Sequence, residues 1–230
     1  MDNLEYGKMS ALYDKFYAHK DYKREAKFIA HFLNPHSHIL DAGCGTGSHC
    51  KELNSLGFKT DGFDLSPDML SIAIKKVEGN FTIASLLDFS SKIHYDAIIS
   101  FFAVFNHLRN YKELQSALCN LKEHLKEGGI IILDLHNPQH SGEKVDNIDG
   151  ATRQMKWKVC HLCNKEYTTI TYKVDNETMI DTHTFKIFKM HKIKKIAERL
   201  GFANIEFYSN YNTSTPATHK SKNIQVVLYT

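Results

Sequence analysis

The sequence predicts an α/β fold built on a doubly wound, mostly parallel sheet. Apolar runs of strand length alternate with segments of helical periodicity up to residue 137, the order typical of strands joined by crossover helices. Residues 95–102 form a continuous, largely apolar run, as expected of a parallel strand that is buried on both faces. An earlier run, at Ile39 and Leu40, enters a turn with glycine at positions 43, 45 and 47. In folds of this class such a turn lies at the carboxyl edge of the sheet, where ligands bind.

Composition limits the chain to one domain without a strong charge signal. Its 230 residues suit a single α/β domain, and its formal net charge of +3 comes from well-mixed acids and bases. We therefore expect neither nucleic acid nor a membrane surface as a partner. Five cysteines with no signal peptide ahead of them predict reduced thiols in a cytoplasmic protein.

Residues 1–33 form an aromatic-rich N-terminal segment with helical spacing. Tyr13, Tyr17 and Tyr22 belong to it, and a helix is predicted from about residue 23 to residue 33. The tyrosines suit an amphipathic helix that covers the sheet. They equally suit a lid over a ligand, because tyrosine offers an apolar ring and a polar tip.

Residues 34–137 supply five predicted strands with helices between them. The last residues of these strands are, in order, Asp41, Asp64, Leu86, Phe102 and Leu135. Parallel strands end at the same edge of a sheet, so we expect these five residues to lie along one ligand-binding edge.

The pattern changes after residue 137. Across residues 151–191 apolar and polar residues alternate with period two, which predicts a three-stranded antiparallel insertion over the sheet edge. Residues 192–230 are predicted to form a last helix, ended by Gly201, and an antiparallel hairpin. The hairpin adds an antiparallel C-terminal strand to the sheet.

The glycine turn carries the pattern Asp41-x-Gly43-x-Gly45-x-Gly47. Glycine permits a positive φ and lets a ligand approach backbone that has no Cβ. A carboxylate at this place would repel a pyrophosphate but suits a cationic ligand. S-adenosylmethionine carries a sulfonium and an ammonium group, and the stretch resembles motif I of the class I S-adenosylmethionine-dependent methyltransferases. A purely structural glycine turn is the alternative.

Asp64 closes the second strand, where a carboxylate can accept both ribose hydroxyls of an adenosine ligand. Its alternative role is to cap a helix. That role belongs more naturally to Ser66, which precedes Pro67. We therefore expect Asp64 to bind the ribose.

The order of motifs resembles that of a class I methyltransferase, with its Rossmann-like fold, over essentially the whole chain. Besides the glycine turn and Asp64, the matching motifs are Asn106-His107-Leu108 and the turn at residues 125–129. A narrower resemblance is to the N,N-dimethyltransferases of nucleotide-linked aminosugars, which also carry a three-stranded insertion before the last helix. It rests on Tyr13-Asp14-x-x-Tyr17 and Lys20-Asp21-Tyr22-x-Arg24-Glu25-Ala26.

The resemblance implies contacts with the methionine and ribose portions of the cofactor. Gly43 and Gly45 would lie against these portions, and Asp41 would reach the ammonium group through water. Asp64 would bind the ribose hydroxyls. The residues expected to close around the cofactor are Tyr13, Tyr17, Tyr22 and Phe102.

The adenine contacts implied by the resemblance are less regular. Met69 would pack on the ring, although it equally suits a core filler on an amphipathic helix. The family commonly has aspartate at the end of strand three, where this chain has Ser85, whose hydroxyl can still accept from the adenine amino group. The backbone N–H of Leu86 would then meet a ring nitrogen.

His107 would face the methyl acceptor, with Tyr13 as a second catalytic candidate; a capping or core role is the alternative for His107. An amine with a pKa near neutral needs little base, whereas a hydroxyl needs a general base or a metal. We expect an amine acceptor on a small molecule, with a nucleotide-linked aminosugar favoured by the resemblance. S-adenosyl-L-methionine is the expected cofactor.

Other functions stay open at the level of sequence. They are O-methylation of a sugar or other small metabolite, N-methylation of a small amine or amino acid, and non-catalytic sensing of an adenosyl ligand. Cys160-x-x-Cys163 with His161 predicts no metal site, because no second pair matches it and strand alternation separates the side chains. The oligomeric state also stays open, a homodimer being one option.

Overall fold

The computed structural model describes residues 13–148, 150–174 and 177–230. Predictions for residues 1–12 lie outside the described residues. The strands, in chain order, are β1 (His38–Ala42), β2 (Lys59–Asp64), β3 (Phe81–Ile83), β4 (Tyr95–Ser100), β5 (Leu125–His136), β6 (Gly142–Ile148), β7 (Ala151–Cys160), β8 (Lys165–Val174), β9 (Glu177–Lys186), β10 (Asn204–Ser209), β11 (Asn212–Pro216) and β12 (Asn223–Tyr229). The helices are α1 (Tyr22–Ala30), α2 (Ser48–Ser55), α3 (Pro67–Lys76), α4 (Tyr111–Lys122), α5 (Met190–Arg199) and a 3₁₀ helix (Val104–His107).

The larger sheet has eight strands in the order β11-β10-β12-β5-β4-β1-β2-β3. The five strands from β5 to β3 are parallel, and β12 joins β5 antiparallel. The central strands are buried on both faces, since Ile39, Ile98 and Ile132 are each 0% exposed. The predicted fold class, with its antiparallel C-terminal strand, is confirmed.

Helices cover both faces of this sheet. Leu118 of α4 and Ile193 of α5 pack on one face, and Phe28 of α1 and Leu53 of α2 pack on the other. The start of α4 is set locally, because the Asn110 side chain accepts two backbone N–H groups of its first turn. No helix in the described residues is long and apolar enough to cross a membrane.

The smaller sheet, β6-β7-β8-β9, is antiparallel and has four strands, one more than predicted. The additional strand, β6, reads Gly-Glu-Lys-Val-Asp-Asn-Ile and is largely exposed. The Asp146 carboxylate of β6 accepts from the Arg153 guanidinium of β7 (2.6 Å), but the sequence of β6 has no apolar alternation that would distinguish it from a loop. The paired strands therefore run from residue 142 to residue 186, compared with the predicted span of 151–191.

Asn106 joins the two sheets. Its side-chain amide donates to the carbonyls of His136 (3.0 Å) and Lys186 (2.7 Å), and its Oδ1 accepts from the N–H of His136 (2.9 Å). Asn106 is 0% exposed, so these bonds hold the insertion against the carboxyl end of β5 without help from water.

Two further segments differ from their predictions. β3 ends at Ile83, so Ser85 and Leu86 lie in the loop that follows it and not on the strand. The polar loop expected between the last two strands contains β11, which pairs with β10. Its sequence, Asn-Thr-Ser-Thr-Pro, has no apolar alternation that would reveal a strand.

The chain turns sharply where β4 ends. Phe102 and Ala103 both have left-handed backbone conformations, with φ of 64° and 61°. Such conformations are uncommon for residues other than glycine and are costly, so the surrounding packing must hold them. This turn aims the 3₁₀ helix, and with it His107, at the ligand edge of the sheet.

Candidate active site

A cavity of about 910 Å³ opens at the carboxyl edge of β1, β2 and β4. It runs from the glycine turn to the 3₁₀ helix and β9. The cavity is lined by ten of the twelve predicted site residues: Tyr13, Tyr22, Gly43, Gly45, Asp64, Met69, Ser85, Leu86, Phe102 and His107. Tyr17 and Asp41 do not line it.

The two glycines of the turn serve different purposes. Both have positive φ, 79° at Gly43 and 55° at Gly45. A Cβ on Gly43 would stand 2.6 Å from the Val104 side chain, so this glycine lets the 3₁₀ helix pack against the turn. A Cβ on Gly45 would meet no atom of the described residues within 4 Å, so among them that side of the residue faces open cavity. Of these two glycines, Gly45 is therefore the one whose backbone a ligand could approach.

Asp64 is held rigidly at the cavity wall. The N–H of Gly45 donates to its Oδ2 (2.8 Å) and the N–H of Ser66 to its Oδ1 (2.9 Å). Burial raises the pKa of Asp64, while the N–H groups of Ser66 and Gly45 lower it in part. Each oxygen keeps a lone pair, so the carboxylate can accept two vicinal hydroxyls. Ser66, as expected, caps α3 through the N–H of Met69 (3.3 Å).

Asp41 lies behind the glycine turn and is 1% exposed. The thiol of Cys50 donates to its Oδ2 (3.5 Å), and burial raises the pKa of the carboxyl to about 6. The structure gives Asp41 no direct contact with the cavity. Its role toward the ammonium group through water stays a prediction.

Tyr17 supports the cavity wall from outside. Its ring lies 4.6 Å from the Tyr13 ring and 4.8 Å from the Phe102 ring, measured between centroids. On its other side the guanidinium of Arg153 lies 4.5 Å from the Tyr17 centroid. Tyr13 and Phe102 therefore line the cavity directly, and Tyr17 packs behind them without reaching it.

A second set of contacts fastens the Tyr13 segment to the glycine turn. The carboxylate of Asp14 accepts from the hydroxyl of Thr46 (2.6 Å) and from the ammonium of Lys76 (2.7 Å). Lys76 also donates to the hydroxyl of Ser48 (2.9 Å). These bonds keep the aromatic segment over the cavity.

A buried charge cluster lies beneath the aromatic wall. Glu25 accepts from Lys20 and forms a 2.6 Å bond with Nε2 of His49. The Lys20 ammonium also lies over the rings of Tyr22 (4.4 Å) and Phe102 (5.0 Å). Both rings line the cavity, so this end carries a positive charge close to the ligand space.

The loop after β3, where the adenine contacts are predicted, lines the cavity through Ser85 and Leu86. The Ser85 hydroxyl accepts from the N–H of Leu87 (3.2 Å), and Asp88 accepts the N–H of Ser85 (2.7 Å). The N–H of Leu86 has no hydrogen-bond partner among the described residues. A ring nitrogen can therefore accept from Leu86, with Met69 on another part of the wall.

His107 stands at the opposite end of the cavity. Its ring packs on Phe185 (4.7 Å) and on His183 (5.5 Å), both from β9 of the insertion. Burial against the cavity walls limits hydration of the ring and lowers the pKa of His107. The nearby His183 lowers this pKa further, whereas the Asp181 carboxylate raises it in part. His107 is therefore neutral at physiological pH.

Sequence reasoning missed His183, Arg109 and Glu113, which also line this end of the cavity. Arg109 and Glu113 pair with each other through charged hydrogen bonds. Period-two alternation shows that Asp181, His183 and Phe185 share one face of β9. Only the packing of that face against the 3₁₀ helix brings it to the cavity.

In the part of the chain that the structure describes, no group of three His, Cys, Asp or Glu side chains is placed to hold a metal ion.

Comparison with known proteins agrees with this geometry. Residues 13–206 match the sequence model of a family described as a methyltransferase domain. The chain belongs to this methyltransferase family. It has the class I fold and resembles the aminosugar N,N-dimethyltransferases, and its cofactor is S-adenosyl-L-methionine.

Two relatives illustrate the range of similarity. The dTDP-3-amino-3,4,6-trideoxy-α-D-glucopyranose N,N-dimethyltransferase of Streptomyces venezuelae is 32% identical over 130 residues, 54% of this chain and 55% of that protein. The match thus spans about half of that relative. The uncharacterized protein MJ1252 of Methanocaldococcus jannaschii is 30% identical over 215 residues, which cover 92% of this methyltransferase and 80% of that protein.

Solved structures share the fold of the methyltransferase across nearly its whole length. An S-adenosylmethionine-dependent methyltransferase from Clostridium acetobutylicum has a TM-score of 0.83 at 21% identity, covering 97% of this chain and 98% of the other. DesVI of Streptomyces venezuelae has a TM-score of 0.77 at 23% identity, with coverages of 96% and 97%. At these identities the likeness shows the fold alone.

Proposed function

We propose that this methyltransferase transfers a methyl group from S-adenosyl-L-methionine to the amine of a small molecule, most specifically a nucleotide-linked aminosugar. The observation that carries the proposal is the volume of the cavity and the span of the residues that line it. At about 910 Å³ it is near the upper end of the 300–1,000 Å³ typical of small-molecule sites. It continues past the cofactor residues to a second, polar end at His107, and that end has room for an acceptor.

The cofactor would be held at the first end by residues already described. Asp64 would accept the ribose hydroxyls, Leu86 and Ser85 would meet the adenine edge, and Tyr13 and Tyr22 would close over the methionine portion. When bound, the cofactor supplies a methyl group that its sulfonium already activates. The protein then has to align the acceptor with that methyl group and exclude water.

The second end of the cavity can hold a polar acceptor, and the named relatives favour an amine. His107 is neutral, so it can hold an amine or sugar hydroxyl by a hydrogen bond without repelling a positive charge. Relatives named as N,N-dimethyltransferases of dTDP-linked aminosugars share about 30% identity over half of the chain. The neutral His107 is compatible with an amine, and these relatives support an aminosugar nitrogen as the nucleophile.

The test is a mass-shift screen with purified protein and labelled cofactor. The acceptors are the dTDP-aminosugar named for the Streptomyces venezuelae relative, the same sugar nucleotide with a hydroxyl in place of its amine, and glycine. We expect one or two methyl groups on the aminosugar nitrogen. Methylation of the hydroxyl analogue would indicate an O-methyltransferase, and methylation of glycine alone would indicate a small-amine enzyme.

Asp64→Ala is the control that weakens cofactor binding and leaves the acceptor end of the cavity unchanged. Removing the carboxylate leaves two ribose hydroxyls without a charged acceptor, so cofactor affinity should fall by about 2 to 3 kcal/mol. Turnover of every acceptor should then fall together. A change in acceptor preference would contradict the separation of cofactor and acceptor ends.

A further inference from the structure

Asp181 and His183 form a close side-chain pair on the face of β9 that meets the cavity. The Nε2 of His183 lies 2.8 Å from Oδ2 of Asp181. Both side chains are 22% exposed, and His183 lines the cavity beside His107. The pair belongs to the insertion, whereas the cofactor residues belong to the larger sheet.

The 2.8 Å contact indicates which nitrogen of His183 is available, because two facing lone pairs at that distance would repel each other. A carboxylate can only accept, so the Nε2 of a neutral imidazole must carry the proton. Nδ1 then keeps its lone pair. Within residues 13–148, 150–174 and 177–230 the His183 ring makes no other hydrogen bond, so this lone pair is unused.

Several charged and polar groups surround the His183 ring. Asp181 faces it from its own strand and His107 faces it from the 3₁₀ helix. Thr168 of β8 is the residue paired with His183 across the sheet. Glu166 lies two residues earlier on β8, and its carboxylate bonds to Nε2 of His136 (3.0 Å). Asp181 is thus the negative charge paired with the ring, and its own pKa is lowered chiefly by the bond from His183.

We propose that His183, oriented by Asp181, is the proton acceptor for the acceptor nitrogen. The inference rests on the proposed amine methylation. An ammonium has no lone pair and cannot attack a methyl group, and an amine with the pKa of about 8 of a protein α-amino group is mostly protonated at pH 7. One N–H bond of the ammonium breaks, its electron pair stays on nitrogen, and its proton forms a bond to Nδ1 of His183. The imidazolium then stays paired with Asp181 until water takes the proton.

His183 is better suited to this role than His107. Limited hydration and the neighbouring His183 hold the pKa of His107 below its usual value, so it takes up a proton less readily. His107 has no carboxylate of its own to stabilise an imidazolium. It is better placed to orient the acceptor by a hydrogen bond, while Asp181 acts as a positioning residue for His183.

Proton removal also matters for repeated methylation. Each transfer leaves the nitrogen positively charged, so a second methyl group can be accepted only after a proton has left. A base that stays beside the nitrogen can remove that proton without release of the intermediate. Loss of His183 should therefore shift the products of an aminosugar toward the monomethyl form.

The test compares His183→Ala, Asp181→Asn and wild type, with the dTDP-aminosugar as probe and kcat/KM measured from pH 6.5 to 9.5. For His183→Ala we expect a loss on the order of 10- to 100-fold at pH 6.5, shrinking to less than about 3-fold at pH 9.5 as the amine loses its proton to solvent. Added imidazole should restore part of the loss at low pH. For Asp181→Asn the loss should be smaller with the same pH dependence.

Two controls separate this role from a structural one. His161→Ala removes an exposed histidine from the β7–β8 turn of the same sheet and should leave the pH profile unchanged. Affinity for S-adenosylhomocysteine, measured by calorimetry, should be the same in all variants. A pH-independent loss in His183→Ala without imidazole rescue, or no loss, would overturn the inference while the proposed function stands.

A spectroscopic measurement needs no acceptor. Long-range ¹H–¹⁵N spectra, with His183 assigned by its absence from His183→Ala, should show the tautomer protonated at Nε2, and Asp181→Asn should weaken that preference. A ring protonated at Nδ1 would overturn the inference. If wild type methylates no amine, the proposed function fails and the inference falls with it.

Discussion

At the scale of single residues, comparing alanine substitutions at Gly45 and Gly57 distinguishes two effects. One is the strain of a left-handed backbone, and the other is a clash with the bound ligand. Both glycines have positive φ, 55° and 88°, and within the described part of the chain a Cβ on either would meet no atom within 4 Å. Gly45 lines the cavity, whereas Gly57 ends the turn after α2 and does not line it. The two positions therefore form a matched pair.

Alanine at either position should cost about 1 to 2 kcal/mol of stability, because an L-residue in the left-handed region is strained. Only Gly45→Ala should also weaken S-adenosylhomocysteine, on the order of 10-fold or more, since its Cβ occupies ligand space. Urea unfolding and calorimetry measure the two effects. Equal affinity in both variants would place the ligand away from Gly45.

At the scale of elements, the acceptor end depends on how the insertion is held. Asn106 satisfies the N–H and C=O of His136 and the C=O of Lys186, and all of these bonds are sheltered from water. The contact fixes β9 relative to the 3₁₀ helix. Those are the two elements that carry His183 and His107.

Asn106→Ala leaves three buried backbone groups without partners, and at about 1 kcal/mol for each group the loss of stability should be about 3 kcal/mol. Asn204→Ala is the control, because its amide bonds only to Glu206 on the exposed surface (3.0 Å). The free energy of unfolding in urea decides between them. A loss in Asn106→Ala no larger than in Asn204→Ala would show that water replaces the buried bonds.

At the scale of the whole molecule, an element could be predicted from sequence where it buries apolar side chains. β1, β4 and β5 are buried on both faces, and their apolar runs identify them. β6 and β11 expose most of their polar side chains and have no apolar alternation, so no periodicity marks them.

The same reasoning applies to the site. Asp64 and His107 follow parallel strands, and strand order alone brings them to one edge of the sheet. His183 reaches the cavity only because the insertion folds over that edge, a tertiary contact that strand periodicity does not encode. The left-handed φ of Phe102 is likewise imposed by packing, since nothing in its residue type favours that conformation.

Asp41 makes the stability of the whole molecule depend on pH. Burial raises the pKa of this carboxyl from 3.8 to about 6, although His49 and the Cys50 thiol lower it in part. The folded protein therefore binds a proton that the unfolded chain releases between about pH 4 and pH 6. Stability falls as pH rises through that window, and the difference in pKa corresponds to about 3 kcal/mol.

Asp41→Asn keeps the shape of the side chain but cannot ionise. Its free energy of unfolding, relative to wild type, should therefore rise by about 3 kcal/mol between pH 4 and pH 7, as urea unfolding across that range can measure. Asp88→Asn is the control with opposite sign, because the N–H of Ser85 lowers the pKa of that exposed carboxyl. Because the lowered pKa lies below the ordinary value of 3.8, the relative stability of Asp88→Asn should fall as pH rises only up to about pH 4 and then stay nearly constant to pH 7. A difference between Asp41→Asn and wild type that does not change with pH would mean that Asp41 is already ionised at pH 4, with its charge stabilised beneath the glycine turn.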